Sequence, residues 1–351
     1  MANFKIENIA LKGIACCVPK TTEKTENYPF ASEQEYKTFV NGTGIVERRV
    51  ADDAICTSDM CFAAAEQLIK DMGIDKNQIK VLVFVSQSTD YLLPATAVIL
   101  QDKLNLPKSC LAFDVGLGCS GYVYGLSIVG SLLQNMESGY ALLLAGDKST
   151  ISSHEKDKST RPLFGDAGSA TLLEKQKNDN PMFFNLQSDG SGHESIIIRG
   201  GGTRLPYTQA NLDDREIETG IVRNDLSLEM NGVDVFNFSL KEVKPNITEL
   251  LENTSKTLED IDFFVMHQAN KFLNETVRKK IKFPLEKTPY SIATFGNTSS
   301  ASIPLTLTTQ LYKELANSQL NLLLSGFGVG LSWGSVFLST TNIKVSELVE
   351  I

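Results

Sequence analysis

The stretch "IKVLVFVSQS" (79–88) returns in altered form as "IDFFVMHQAN" (261–270). Each is an unbroken apolar run closed by polar residues, the pattern of a strand covered on both faces. Their spacing, about 180 residues, is shared by a second pair, "LLLAG" (142–146) and "LLLSG" (322–326). Third, the turn "GLGCSG" (116–121) has its counterpart near "TFGNTSSASIPL" (294–305). Fourth, "FGDAGSATLL" (164–173) resembles "FGVGLSWGSVFL" (327–338) at a shorter offset, so the first half carries an insertion within "DKSTISSHEKDKSTRP" (147–162). Four matches in one order read as an internal duplication.

Each half alternates helix and buried strand. "TSDMCFAAAEQLIKDMG" (57–73) offers Thr57 or Ser58 as N-cap, apolar residues at helical spacing, and Gly73 as a stop. The run "VLVFV" follows, and "VKPNITELLENTSKTLEDIDFFVMH" (243–267) repeats the order of helix, short link and strand. The expectation is an α/β protein with halves 1–175 and 176–351, two sheets and their helices related by a pseudo-twofold axis. Positions that correspond under that axis are natural places for a shared site.

The 351 residues are 42% hydrophobic, enough for a large core. With 33 basic against 42 acidic residues, the net charge of −9 gives no reason to expect nucleic-acid or membrane binding. The opening "MANFKIENIALKG" lacks the regions of a signal peptide, and runs such as "ALLLAG" are too short to span a bilayer, so a cytoplasmic protein is expected. The six cysteines (16, 17, 56, 61, 110, 119) show no CxxC spacing and point to neither a zinc site nor a disulfide framework.

Within "FDVGLGCSGYVYGL" (113–126), a strand passes through a glycine turn into a helix that begins near Cys119. A thiol there has its thiolate favoured by the free N–H groups and the macrodipole, which predicts a pKa below about 8.5. Taken alone, Cys119 equally suits close packing as a small buried residue. His267 ends the strand "IDFFVMH", where α/β proteins place ligands, although a lone strand-end histidine is often structural. Asn297 lies in "FGNTSSAS" and by itself reads as a turn or cap residue. The duplication brings all three to one axis.

The motifs "DVGLGCSGYVYGL", "HQAN", "FGNTSSASIP" and "GFGVGLSWGS", with "LFGDAGSATLL" and "LEMNGVDVF" between them, resemble β-ketoacyl-acyl carrier protein synthase III, a condensing enzyme of the thiolase fold. The resemblance covers nearly the whole chain. It implies a five-layered αβαβα sandwich, a homodimer, and no metal or redox cofactor, with acyl-CoA or acyl carrier protein and malonyl carrier protein as substrates. Carried onto this sequence, it makes Cys119 the acyl acceptor and His267 and Asn297 the pair acting on the second substrate. Backbone N–H groups of Cys119 and Val329 would hold the oxyanion. Leu93 matches a position that reaches the partner's acyl pocket, core packing being its plain alternative. Arg278, Lys279 and Lys280 fall where the family docks the acidic carrier protein; a solvated helix face is the other reading.

Two departures bear on the substrate. Thr38 and Gly42 stand where the family has a tryptophan and an arginine that sandwich the adenine of coenzyme A, a loss of about 1 kcal/mol or more of stacking. Val329 replaces the middle glycine of a triple and adds bulk beside the pocket. The rival readings are a non-decarboxylating acyltransferase of the same fold in a specialised glycan, lipid or secondary-metabolite pathway, a papain-like hydrolase, and a catalytically silent partner of a condensing complex. The hydrolase explains neither the duplication nor "HQAN".

Overall fold

The computed structural model describes residues 2–177 and 180–351. Strands β1 (Ala2–Ile6), β2 (Ile9–Val18), β3 (Ile79–Val85), β4 (Leu111–Val115), β5 (Tyr140–Lys148) and β6 (Asp166–Lys175) come from the first half. β7 (Met182–Ser188), β8 (Phe263–Met266), β9 (Gln319–Gly328), β10 (Ser332–Thr341), β11 (Lys344–Val345) and β12 (Val349–Glu350) come from the second. One sheet runs β11-β2-β6-β5-β3-β4, with β12 also on β2; the other runs β1-β7-β10-β9-β8. The duplication is written in the pairing. β3 lies parallel to β5 as β8 does to β9, and β5–β6–β2 is antiparallel as β9–β10–β7 is.

The run "VLVFV" is apolar throughout because both of its faces are covered. Val81, Val83 and Val85 pack inward against Val123 and Leu126 of helix α3 (Gly121–Gln134) and Ile303 and Leu307 of helix α6 (Ser302–Gln310). Leu82 and Phe84 pack outward on Ala64 and Leu68 of helix α2 (Thr57–Met72) and on Leu100. On the far side, helix α4 (Gly232–Thr254) gives Val243, Ile247 and Leu250, and helix α5 (Lys271–Ile281) gives Leu273 and Val277, to a cluster on Phe264, Leu323 and Phe337. The layers are therefore helix, sheet, helix, sheet, helix: the expected αβαβα sandwich. The cap of α2 lies one residue before the expected pair, since the Cys56 N–H donates to Asp59 (3.0 Å); the helix stops at Gly73 in the left-handed conformation, as expected.

The two sheets do not divide cleanly at residue 175. β1 is hydrogen-bonded to β7 in the second-half sheet, while β11 and β12 return to β2 in the first-half sheet. The insertion is where the offsets placed it: residues 149–165 join β5 to β6, whereas residues 329–331 suffice between β9 and β10. Among the described residues, no helix is long and apolar enough to cross a membrane.

Candidate active site

Cys119 sits in the turn between β4 and α3, held by the Gly121 N–H donating to the Gly118 carbonyl (2.7 Å). His267 follows β8 and extends its pairing, its N–H donating to the Ser325 carbonyl of β9 (2.8 Å). Asn297 precedes α6; its N–H donates to Leu163 O (2.9 Å) and its carbonyl accepts from Gly165 N–H (3.0 Å). With Val329, all three line one cavity of about 880 Å³. The sequence expectation that the duplication brings them to one place agrees with this geometry.

Glycines let the halves approach so closely. A Cβ on Gly328 would lie 2.7 Å from Cys119 Cβ and 3.0 Å from its Sγ, and one on Gly326 would lie 2.9 Å from Cys119 O. A Cβ on Gly121 would lie 2.5 Å from Val85 Cγ1. The end of β9 is thus pressed against the turn that carries the thiol.

The thiol is less acidic than the sequence suggested. Burial pushes the Cys119 pKa up to about 11, and the nearby Asp147 carboxylate pushes the same way. Hydrogen bonding by Ser299 and by the backbone N–H groups of Val329 and Cys119 opposes the rise without cancelling it. The helix starts at Gly121, two residues past the cysteine and near where the sequence placed it. Asp147 is itself buried and accepts from Gln87 N–H (2.7 Å), Ser86 Oγ (3.1 Å), Ser300 Oγ (2.8 Å) and Ser300 N–H (3.2 Å). Burial raises its pKa, with those donors opposing.

Burial brings the His267 pKa down to about 4, so the ring is neutral at pH 7. Its Nδ1 lies 2.8 Å from Ser302 Oγ, inside the protein, which leaves Nε2 facing the cavity. The ring stands edge-on to Phe327. Asn297 Oδ1 accepts from the Ser299 N–H (2.9 Å), which turns the amide nitrogen toward the cavity. Ser299 adopts φ +49°, left-handed for a non-glycine residue, and its position serves Asn297 and Cys119 at once. Asp147, Ser299 and Ser302 were missed in the sequence. Two of them stand inside the quoted "GNTSSAS", and the third ends "LLLAGD".

The cavity wall is mainly apolar, with Ile197, Leu226, Leu228, Met230 and Phe236 among its residues. At its mouth Ile151 (73% exposed), Val233, Tyr207 and Phe272 remain open to solvent. Lys148 is the one basic residue of the wall among the described residues, and its Nζ is held by the carbonyls of Asp52 (2.8 Å) and Ile55 (3.0 Å). Among the described residues no group of three or more histidine, cysteine or acidic residues could hold a metal.

The outlying residues fare differently. Leu93 is 86% exposed beside the exposed Tyr91 and Leu92, away from this chain's cavity, which removes core packing as its role. Arg278 is not a free docking cation: its Nε and Nη2 donate to Glu275 (2.9 and 2.7 Å) and its Nη1 to Phe283 O (2.6 Å). Lys279 and Lys280 are exposed. Thr38 and Gly42 lie on helix α1 (Glu33–Thr43), which ends against Lys271 of α5.

Comparison with known proteins agrees with this architecture. The profile of 3-oxoacyl-[acyl-carrier-protein] synthase III matches residues 113–190, and that of its C-terminal part matches 251–340. The β-ketoacyl-[acyl-carrier-protein] synthase III of Clostridium perfringens (strain ATCC 13124) is 30% identical, over 95% of this chain and 99% of its own. That of Ehrlichia canis is 32% identical, over 92% and 96%. The crystal structure of a 3-oxoacyl-(acyl-carrier protein) synthase from Burkholderia xenovorans superposes with a TM-score of 0.94 at 35% identity, covering 100% of this chain and 99% of that one. With relatives of this identity aligned from end to end, and the thiol, imidazole and amide gathered in one cavity, the chain belongs to the 3-oxoacyl-[acyl-carrier-protein] synthase III family of condensing enzymes.

Proposed function

We propose that the protein transfers an acyl group to Cys119 and condenses it with a malonyl group on acyl carrier protein, releasing CO₂ and a β-ketoacyl carrier protein. The observation that carries this reading is the meeting of Cys119, the neutral His267 and the outward amide of Asn297 in one apolar cavity. The Cys119 sulfur attacks the carbonyl carbon of an acyl thioester, and the N–H groups of Cys119 and Val329 that reach the sulfur would hold the oxyanion. Its collapse breaks the donor's C–S bond and releases the donor as a thiol that takes up the Cys119 proton. Malonyl carrier then enters. As it loses CO₂, negative charge gathers on its thioester oxygen, where a neutral imidazole N–H and an amide N–H stabilise it without adding a charge to the apolar site. The carbanion attacks the acyl carbon, and the Cys119 sulfur departs. The residues of the site supply all of these roles, so the reading calls for no metal or redox cofactor.

The apolar wall suits a hydrocarbon acyl chain. Lys279 and Lys280, on the last turn of α5, supply a local basic face for an acidic carrier. The exposed Leu92 and Leu93 supply the apolar contact of a homodimer, in which Leu93 would close the partner's acyl pocket. A cytoplasmic location fits the six cysteines, all free thiols.

Incubation with a panel of acyl thioesters, read by intact mass, should add one acyl group to the wild type and none to Cys119→Ser. His267→Ala should still acquire the acyl group but lose CO₂ release from malonyl carrier by a factor on the order of 10². Equal labelling of wild type and Cys119→Ser would remove the nucleophile. Acyl transfer to a hydroxyl or amine without CO₂ release would replace condensation by simple acyl transfer.

A further inference from the structure

The condensation step requires a proton on the His267 nitrogen that faces the cavity, and a neutral ring has only one proton to place. Which nitrogen holds it is decided at Nδ1, the buried end. Two groups meet it there. The Ser302 hydroxyl lies 2.8 Å away, and the backbone of Ser299 also bears on the ring, favouring its protonated form. A carbonyl can only accept, so the Ser299 oxygen pulls the proton to Nδ1 and would leave a lone pair on Nε2. A hydroxyl can accept or donate.

Counting donors and acceptors gives two complete arrangements. In the first, the Ser302 hydroxyl donates to the Ser299 carbonyl (2.8 Å) and its oxygen accepts from Nδ1–H. In the second, the hydroxyl donates to Nδ1, and the proton of the ring sits on Nε2. The Ser299 carbonyl loses nothing essential in the second, because the Ser302 N–H donates to it as well. The Gln268 N–H donates to Ser302 Oγ (3.3 Å) in both. Neither arrangement strands a buried polar group, so the demands of the cavity decide between them. The Asn297 amide nitrogen already points there, and a second N–H beside it completes a pair of donors, whereas an Nε2 lone pair would repel the oxygen on which charge collects.

We propose that Ser302 is a positioning residue that donates its hydroxyl proton to Nδ1 of His267 and thereby keeps the N–H of the ring at Nε2, facing the substrate. No covalent step involves Ser302, and no proton leaves it. Its effect is confined to the half-reaction that uses the Nε2–H. The inference rests on the condensation reading above, while the spectroscopic measurement reads the tautomer whether or not condensation occurs.

Replacing Ser302 by Ala leaves the Ser299 carbonyl as the polar partner of Nδ1 and should move the proton to that nitrogen. Nitrogen NMR of histidine-labelled protein separates the two tautomers directly, and with three histidines in the chain the His267 signals can be assigned by their loss in His267→Ala. The wild type should show Nε2–H and Ser302→Ala should show Nδ1–H. Acylation of Cys119 in Ser302→Ala should stay within about threefold of wild type, while CO₂ release from malonyl carrier falls at least tenfold. An Nδ1–H signal in the wild type, an unchanged tautomer in the variant, or an equal fall in both half-reactions would each overturn the proposal. Absence of CO₂ release from the wild type would instead overturn the condensation reading, and the tautomer measurement would still stand.

Discussion

At Cys119 two effects of opposite sign compete, and their ranking can be measured. A helix end and nearby N–H groups favour the thiolate, while burial and the Asp147 carboxylate oppose it and prevail, leaving a pKa of about 11. Below that value each pH unit raises the thiolate fraction about tenfold, so alkylation by iodoacetamide should climb without a plateau from pH 7 to 9. A plateau near pH 7 would mean that the helix end wins. At pH 7 the group is therefore predominantly a neutral thiol. His267 gives the complementary case. Because burial holds its pKa near 4, its ring signals should stay constant from pH 8 to 5 and move only on further acidification. A midpoint near the ordinary 6.5 would show that water reaches the ring.

The turn that carries Cys119 and the end of β9 are positioned by absent side chains as much as by present ones. Gly328→Ala would set a methyl group 2.7 Å from Cys119 Cβ, a contact that backbone or thiol must move to relieve. Overpacking of this kind costs about 1–3 kcal/mol, visible as a lower denaturation midpoint, and the displaced sulfur should acylate at least tenfold more slowly. Normal acylation in this variant would show that the turn has room to shift. This level of organisation was partly legible in the sequence. The apolar runs announced strands with two covered faces, and the order of repeats announced two matching sheets. The acidity of Cys119 was less legible, because the helix start is written in the local glycine turn whereas the burial and the Asp147 carboxylate that raise its pKa come from elsewhere in the chain. Arg278 illustrates another limit: a basic run says nothing about Glu275 one turn earlier, which occupies the guanidinium.

For the molecule as a whole, duplication made the site readable, since neither Cys119 nor His267 has a decisive local signature and their convergence depends on symmetry. What symmetry could not announce is where the copies differ. The strand β4 has no strand counterpart among the described residues of the second half, where residues 288–291 lead into the short helix Ile292–Phe295. The insertion 149–165 brings Ile151, Ser152, Leu163 and Phe164 to the cavity, although in sequence it reads as a polar loop. Buried Asp147 and Ser300 join the halves by a hydrogen bond that the repeat does not encode, because Phe327 stands where Asp147 would recur.

The crossing of β1 into one sheet and of β11 and β12 into the other ties the halves like two hands with interlaced fingers. A fragment ending at residue 175 would keep β2 with its outer edge unpaired, and a fragment starting at 176 would lack the strand that covers β7. Bare edges of this kind recruit any strand they meet, so each fragment produced alone should aggregate. Produced together, they should supply each other's missing edge and recover the acylation of Cys119, as mass spectrometry of a co-expressed pair would register. Soluble, folded fragments from separate preparations would show instead that the interlacing is dispensable, and that the ancestral unit still survives within each half.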